Sequence, residues 1–379
     1  MNSLNLVAYL VAPYDSFHRR PLIRALGRAI SGHGGILCVE PWVRRLSGAR
    51  SLRQAEENVY VYQPHVLPHE SALHCLGVQT AHWRSNAKRL RRAIAEVMGS
   101  DGMRVAWAYK PEQLWLAGLA DETHLVYECY DEYRFDMAGR QRPEICDLET
   151  KLLRAADLVF ITSEELRPPR SALNDSVNLL PTGVDFELFS SPEADVPADL
   201  AALPRPRIGH VGNLMACLDL DLLRGLVASR PQWSFVHIGP VAPTVDIAGL
   251  RKLPNFHLLG RKPQAEVPAY LRGLDAGLIL FKPNRFTSGV DPLKLYEYLA
   301  TGIPVVSTRF APLGPAKDIV WTAGGLPEFV ERLELALACD DPARRQAGIE
   351  LARSRNWPIV AQQAIEALAT LRAPLMAAA

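Results

Sequence analysis

Several features that would announce a function are missing from these 379 residues. The six cysteines, at 38, 75, 129, 146, 217 and 339, form no CxxC pair and no close cluster. That spacing excludes a disulfide framework and a thiolate zinc site, and it fits a reducing cytosol. No apolar run approaches the roughly 18–20 residues needed to cross a bilayer. The start, "MNSLNLVAYLVAPYDSF", has neither a basic n-region nor a small-residue cleavage site and reads as a first buried strand. A net charge of +1 provides no field for wholesale nucleic-acid binding. There is no P-loop, no strand-coupled GxGxxG and no GxSxG elbow, so NTPase, dehydrogenase and α/β-hydrolase chemistry lack their motifs.

What is present is length and alternation. A chain of this size is too long for one ordinary domain, and 48% hydrophobic residues suffice for two cores. Short apolar runs at 4–11, 35–40, 104–109, 124–129 and 157–162 alternate with amphipathic segments at 18–30, 82–98 and 143–155. A second series of runs follows at 207–212, 234–239, 256–260, 276–281 and 303–308. This is the βαβ signature of parallel sheets covered by helices. The stretch between the series is rich in proline and acid and poor in periodicity. The pattern predicts an α/β protein with two Rossmann-like domains, 1–182 and 207–355, joined by a linker at 183–206. Their cleft should lie at the carboxyl ends of both sheets, where open α/β sheets bind ligands.

"DPLKLYEYLATGIPVVST" (291–308) carries the sharpest signal. Asp291 is placed to cap a helix, Pro292 suits its first position and Gly302 suits its exit, which predicts a helix from 292 to 301. Lys294 and Glu297 then share a face, roughly 4.5 Å apart along the axis. The positive helix end and the Lys294 charge favour an anion. Glu297, one turn deeper, can accept hydrogen bonds from a diol. A pyrophosphate followed by a ribose would match both groups, whereas an ordinary surface pair needs no ligand.

The wider stretch "SGVDPLKLYEYLATGIPVVST" resembles the donor-binding helix of GT-B glycosyltransferases, above all bacterial family 4-like and teichuronic-acid-type enzymes, and more distantly the xanthan glucuronosyltransferase. Residues 210–240, 255–281 and 180–189 support the likeness, and 354–368 is similar to the final helix that crosses back onto the first domain. The resemblance makes 356–379 such a helix, and makes the first domain acceptor-binding and the second nucleotide-sugar-binding. It implies Glu297 on the ribose, Lys294 on the diphosphate, and Gly260, Arg261 and Lys262 beside the base. Gly212 and Asn213 would approach the phosphates, with Ser288 and Gly289 near the donor. Gly289 replaces the first of the two glutamates in the family 4 pattern, and the basic pair after the first strand of the second domain is absent. The donor clamp of retaining enzymes is thus incomplete.

In the first half, "LVYECYDEYRF" (125–135) ends a buried strand with Tyr130, Asp131 and Glu132. A carboxylate there can take the proton from an attacking hydroxyl, or simply cap a helix. The resemblance to the xanthan-type enzyme puts the general base at Asp131. Tyr14, Asp15, His18 and Arg19 follow the first strand and are candidates for acceptor binding. "WRSNAKRLRRAIAEV" (83–97) concentrates Arg84, Lys88, Arg89, Arg91 and Arg92, which suits either a solvated face or an anionic membrane surface. "DLD" at 219–221 is better read as a helix cap at Asp219 than as a metal motif. His65, His69 and His74 are broken by Pro64 and Pro68 and make no regular ligand face.

The resulting expectation is a metal-independent glycosyltransferase without a cofactor. It would move a sugar from a UDP- or GDP-linked donor to a glycan or lipid-linked acceptor in bacterial surface polysaccharide assembly. Its place would be the cytoplasm, with peripheral contact at the inner face of the plasma membrane. A nucleotide-sugar epimerase of the same fold and a non-catalytic nucleotide-sugar-binding subunit are the alternatives.

Overall fold

The computed structural model describes residues 3–41, 52–64, 79–98, 102–191 and 195–371. The strands, in chain order, are β1 Leu4–Tyr9, β2 Ile36–Val39, β3 Leu52–Glu56, β4 Val59–Tyr62, β5 Met103–Ala108, β6 His124–Cys129, β7 Leu158–Ile161 and β8 Val177–Leu179. A second set comprises β9 Arg207–Val211, β10 Ser234–Ile238, β11 Phe256–Gly260, β12 Ala276–Ile279, β13 Val305–Thr308 and β14 Trp321–Ala323. The longer helices are α1 Arg20–Ala29, α2 Gln79–Val97, α3 Pro143–Ala155, α4 Leu220–Ser229, α5 Val267–Arg272 and α6 Leu293–Thr301. α7 Leu326–Ala338, α8 Pro342–Ser354 and α9 Trp357–Ala369 complete them.

Two compact units result. The first comprises residues 1–134, 142–181 and 357–379, and the second 135–141 and 182–356. The first holds a sheet in the order β3-β4-β2-β1-β5-β6-β7-β8, parallel except where β3 meets β4. β1, β5, β6 and β7 are almost wholly buried runs, as a sheet covered on both faces requires. The last helix, α9, packs on α1 within this unit and buries Trp357, Val360, Ala361, Ala364 and Leu368. It is the terminal helix that the resemblance implied for the first domain.

The second unit holds a parallel sheet in the order β11-β10-β9-β12-β13-β14. Strand order therefore reverses between β9 and β12, the position at which doubly wound sheets open a crevice at their carboxyl ends. β9 and β12 pair only through Ile208 and Gly209, opposite Ala276 and Gly277. Beyond that point the Val211 N–H has lost its strand partner, and the buried Tyr298 hydroxyl accepts it at 2.9 Å. Gly277 makes room for the same ring: a β-carbon there would lie 2.7 Å from Tyr298 Cδ2. Tyr298 thus pins α6 over the switch point. Between the two series, Phe186–Ser190 and Ala198–Ala201 are short helices that bury Phe186, Phe189 and Leu200 in the core of this second unit.

The start of α6 differs from the sequence expectation. Pro292 is the N-cap residue and no side chain caps the helix. The Asp291 carboxylate is taken instead by the Thr182 N–H at 3.0 Å and the Tyr296 hydroxyl at 2.6 Å. Gly302 ends the helix in the left-handed region, with φ of 73°, as its composition requires. Asp219 caps α4 by accepting from Leu222 N, which agrees with the reading of "DLD". His65, His69 and His74 lie outside the described residues.

Candidate functional site

Lys294 and Glu297 stand on the first turns of α6, above the switch point. Lys294 Nζ lies 3.0 Å from His210 Nε2 at the end of β9 and 5.4 Å from the centroid of the Phe281 ring just after β12. Gly212 borders it: a β-carbon there would stand in ordinary contact with Lys294, 3.5 Å from Nζ. Gly212 itself, with φ of 115°, turns the chain away from β9. Gly239 backs it closely: a β-carbon at 239 would sit 2.0 Å from the Gly212 carbonyl oxygen.

Among the described residues Lys294 forms no ion pair. Burial lowers its pKa to about 8, although Cys217 and Glu297 favour the ammonium. Burial likewise raises Glu297 to about 7, against its hydrogen bond from Gln264 at 3.3 Å and the nearby Lys294 charge. A half-buried cation with no ion pair among the described residues, at a helix N-terminus without a side-chain cap, is suited to an anion. Gln264 belongs to the turn after Gly260, where φ is 71°, so this turn is brought against Glu297.

The other donor candidates fall out unequally. Asn213 and Arg261 are exposed. Lys262 is committed elsewhere, 2.8 Å from Asp199 and over the Tyr270 ring. Ser288 donates to the Arg285 carbonyl, and Gly289 is buried in the one-turn helix Thr287–Gly289. Sequence reasoning missed His210, His237 and Gln264. The first two had a signal, because "RIGH" and "SFVH" put a histidine fourth in adjacent strands.

In the first unit Asp131 follows β6, and its neighbour Glu132 has an opposite environment. Glu132 is buried and accepts from Arg134 at 2.8 and 2.6 Å and from Arg170 at 3.1 and 3.2 Å. Burial alone would raise its pKa, but the two guanidinium groups prevail and hold it at about 2. The Asp131 carboxylate has no hydrogen bond among the described residues. Burial raises it to about 7, with Lys110 and Arg19 pulling the other way. The loop after β1 comes to the same place, where the His18 ring meets Tyr130 edge-on at 4.5 Å.

Two acceptor candidates serve the fold of this unit. Arg19 is buried with its guanidinium on Glu128, which also accepts from Trp107 Nε1 at 3.0 Å. Tyr14 is fully buried, its N–H on Glu40 and its hydroxyl on Glu56. Asp15 is exposed and pairs with Arg20 and Arg53. On α2, Lys88, Arg89 and Arg92 are exposed, whereas Arg91 pairs with Asp121 at 2.8 Å and reaches the Leu119 carbonyl. No described helix is long and apolar enough to cross a membrane.

No family model matches the chain. It is 26% identical, over 276 residues, to a glycosyltransferase ascribed to teichuronic acid biosynthesis in Bacillus subtilis (strain 168), TuaH; the match covers 68% of this chain and 70% of that one. Among solved structures it is similar to the sucrose-phosphate synthase of Thermosynechococcus elongatus, with a TM-score of 0.72, 16% identity, and 98% and 99% of the two chains covered. It is also similar to the E. coli trehalose-6-phosphate enzyme bound with UDP-2-fluoro glucose, with a TM-score of 0.70, 14% identity, and 98% and 100% covered. The fold is that of the GT-B glycosyltransferases, as the resemblance of the donor-helix sequence implied.

Proposed function

We propose that this protein, a glycosyltransferase of GT-B fold, moves a sugar from a UDP- or GDP-linked donor to a glycan or lipid-linked acceptor in surface polysaccharide assembly. The observation that carries the reading is Lys294: a half-buried ammonium with no ion-pair partner among the described residues, over the switch point and at a helix start with no side-chain cap. It binds the diphosphate, the turn at Gly212 lets the phosphates approach, and Glu297 with Gln264 holds the ribose hydroxyls. As the glycosidic bond to the leaving diphosphate breaks, negative charge grows on its oxygen. Lys294 and the helix N-terminus stabilise that charge. Asp131 takes the acceptor proton as the new bond forms.

The relative from B. subtilis supports a role in polysaccharide assembly, since its name assigns it to teichuronic acid biosynthesis. The neighbour bound with a UDP sugar supports the class of donor. The exposed cations of α2 suit peripheral contact with anionic lipid, at about 1 kcal/mol per surface cation. Because Arg91 is tied to Asp121, charge reversal at Lys88 and Arg92 tests that contact without disturbing the fold. The double variant should sediment less with anionic liposomes, and equal sedimentation would return α2 to a solvated face.

Incubation with UDP- and GDP-sugars, with and without glycan or lipid-linked acceptors, tests the activity. Release of the nucleotide only when acceptor is present is the expected result. Rearrangement of the sugar without acceptor would identify an epimerase, and binding without turnover a silent subunit.

A further inference from the structure

His210 and His237 stand opposite each other on the parallel strands β9 and β10, and both are buried. Their rings stack with centroids 5.3 Å apart, and the two Nδ1 atoms are separated by 3.2 Å. On its other edge His210 presents Nε2 to Lys294 Nζ at 3.0 Å. A row of three nitrogen groups runs from the sheet interior to the start of α6.

While Lys294 is an ammonium, one proton arrangement follows along this row. An ammonium has only donors, so His210 Nε2 must accept. The proton of a neutral His210 then sits on Nδ1 and is donated to His237 Nδ1, which leaves the His237 proton on Nε2, a buried atom with no hydrogen-bond partner among the described residues. A protonated His210 would offer Lys294 no lone pair, so both imidazoles have to be neutral. Their surroundings enforce this. Desolvation first, then the Lys294 charge and the neighbouring His237 ring, push His210 well below its ordinary value, and burial is the chief cause that lowers His237 to about 4.

We propose, resting on the donor reading of Lys294, that His210 is a positioning residue for the donor diphosphate: oriented by His237, it accepts one Lys294 N–H and aims the ammonium at the turn of Gly212. The groups facing Nζ are His210 on β9, His237 behind it, Cys217 from the loop after β9, and Glu297 on α6 itself. Of these, only the His210 nitrogen is in hydrogen-bond contact with Nζ among the described residues.

Calorimetric titration of the full chain with inorganic pyrophosphate, UDP, GDP and the free nucleosides, from neutral to alkaline pH, tests this. Wild-type affinity for the diphosphates should fall above about pH 8 as Lys294 loses its proton. His210→Phe should weaken pyrophosphate binding by about tenfold or more, the scale of a lost hydrogen bond to a charged group, with nucleoside affinity kept. It should also move the alkaline fall to lower pH, because an ammonium that has lost its acceptor gives up its proton more readily. His210→Gln, whose carboxamide oxygen accepts, should restore the wild-type profile. If His210→Phe does not fold, His210→Gln and His237→Phe carry the test, the first keeping the profile and the second shifting it. An unmoved profile in His210→Phe, or a glutamine variant no better than phenylalanine, overturns the proposal. Should Lys294→Ala also leave diphosphate affinity intact, the donor reading itself falls, which is a separate outcome.

Discussion

Asp131 and Glu132 are adjacent in the chain and driven apart in chemistry. Two arginines fix Glu132 as a permanent carboxylate, while Asp131 is left desolvated near pH 7. A pair of acids separated in this way usually marks the one that handles protons. Asp131→Asn should slow transfer by about a hundredfold and leave UDP and GDP affinity unchanged, which steady-state rates and calorimetry would show. The wild-type kcat/KM should rise with pH through about 7, and a flat profile would remove Asp131 from the base role. Stability gives a second sign. The folded value of Asp131 lies above its ordinary value of 3.8, so its favourable contribution is complete below that value and is lost as pH rises through about 7. Asp131→Asn should therefore melt higher than wild type at pH 8, and the gain should vanish near pH 4. The position of Asp131 just past a buried strand was legible, because the apolar run of β6 ends at Cys129. The commitment of Arg19 and Tyr14 to Glu128, Glu40 and Glu56 was not, because those partners are distant in sequence.

Most buried parallel strands were readable because continuous apolar runs have few alternatives in an α/β chain, although the short buried run "VYVY" of β4 was missed. β3 was missed because "LRQAE" is a polar edge strand, and β8 and β14 because three residues carry almost no period. The start of α6 was misread because capping is judged from local sequence, whereas Thr182, 109 residues away, takes the Asp291 carboxylate. Tyr298 is the element's anchor, and that too needed the fold. Tyr298→Phe leaves the buried Val211 N–H without its acceptor. It should cost about 1–3 kcal/mol and loosen α6 over the switch point, so that UDP affinity falls as well. Denaturant unfolding and calorimetry would show both effects; a fall in stability with unchanged affinity would separate Tyr298 from the site.

The chain passes from the first unit to the second and returns for its last helix, so residues remote in sequence share one core. Removing 357–379 takes Trp357, Val360 and Leu368 from against α1 and should destabilise the first unit although the deleted segment follows the second. Hydrogen exchange of the truncated chain should show faster exchange along α1 and β1, with the sheet from β9 to β14 keeping its protection. At the same scale, Lys294 and Glu297 are both held desolvated, so a ligand that satisfies them stabilises the second unit by mass action. The most direct measurement is calorimetry of UDP, GDP and their nucleosides against wild type, Lys294→Ala and Glu297→Ala. Lys294→Ala should lose about tenfold or more in diphosphate affinity with nucleoside binding kept, and Glu297→Ala should weaken both classes of ligand. Unchanged UDP and GDP affinity in both variants would contradict the account.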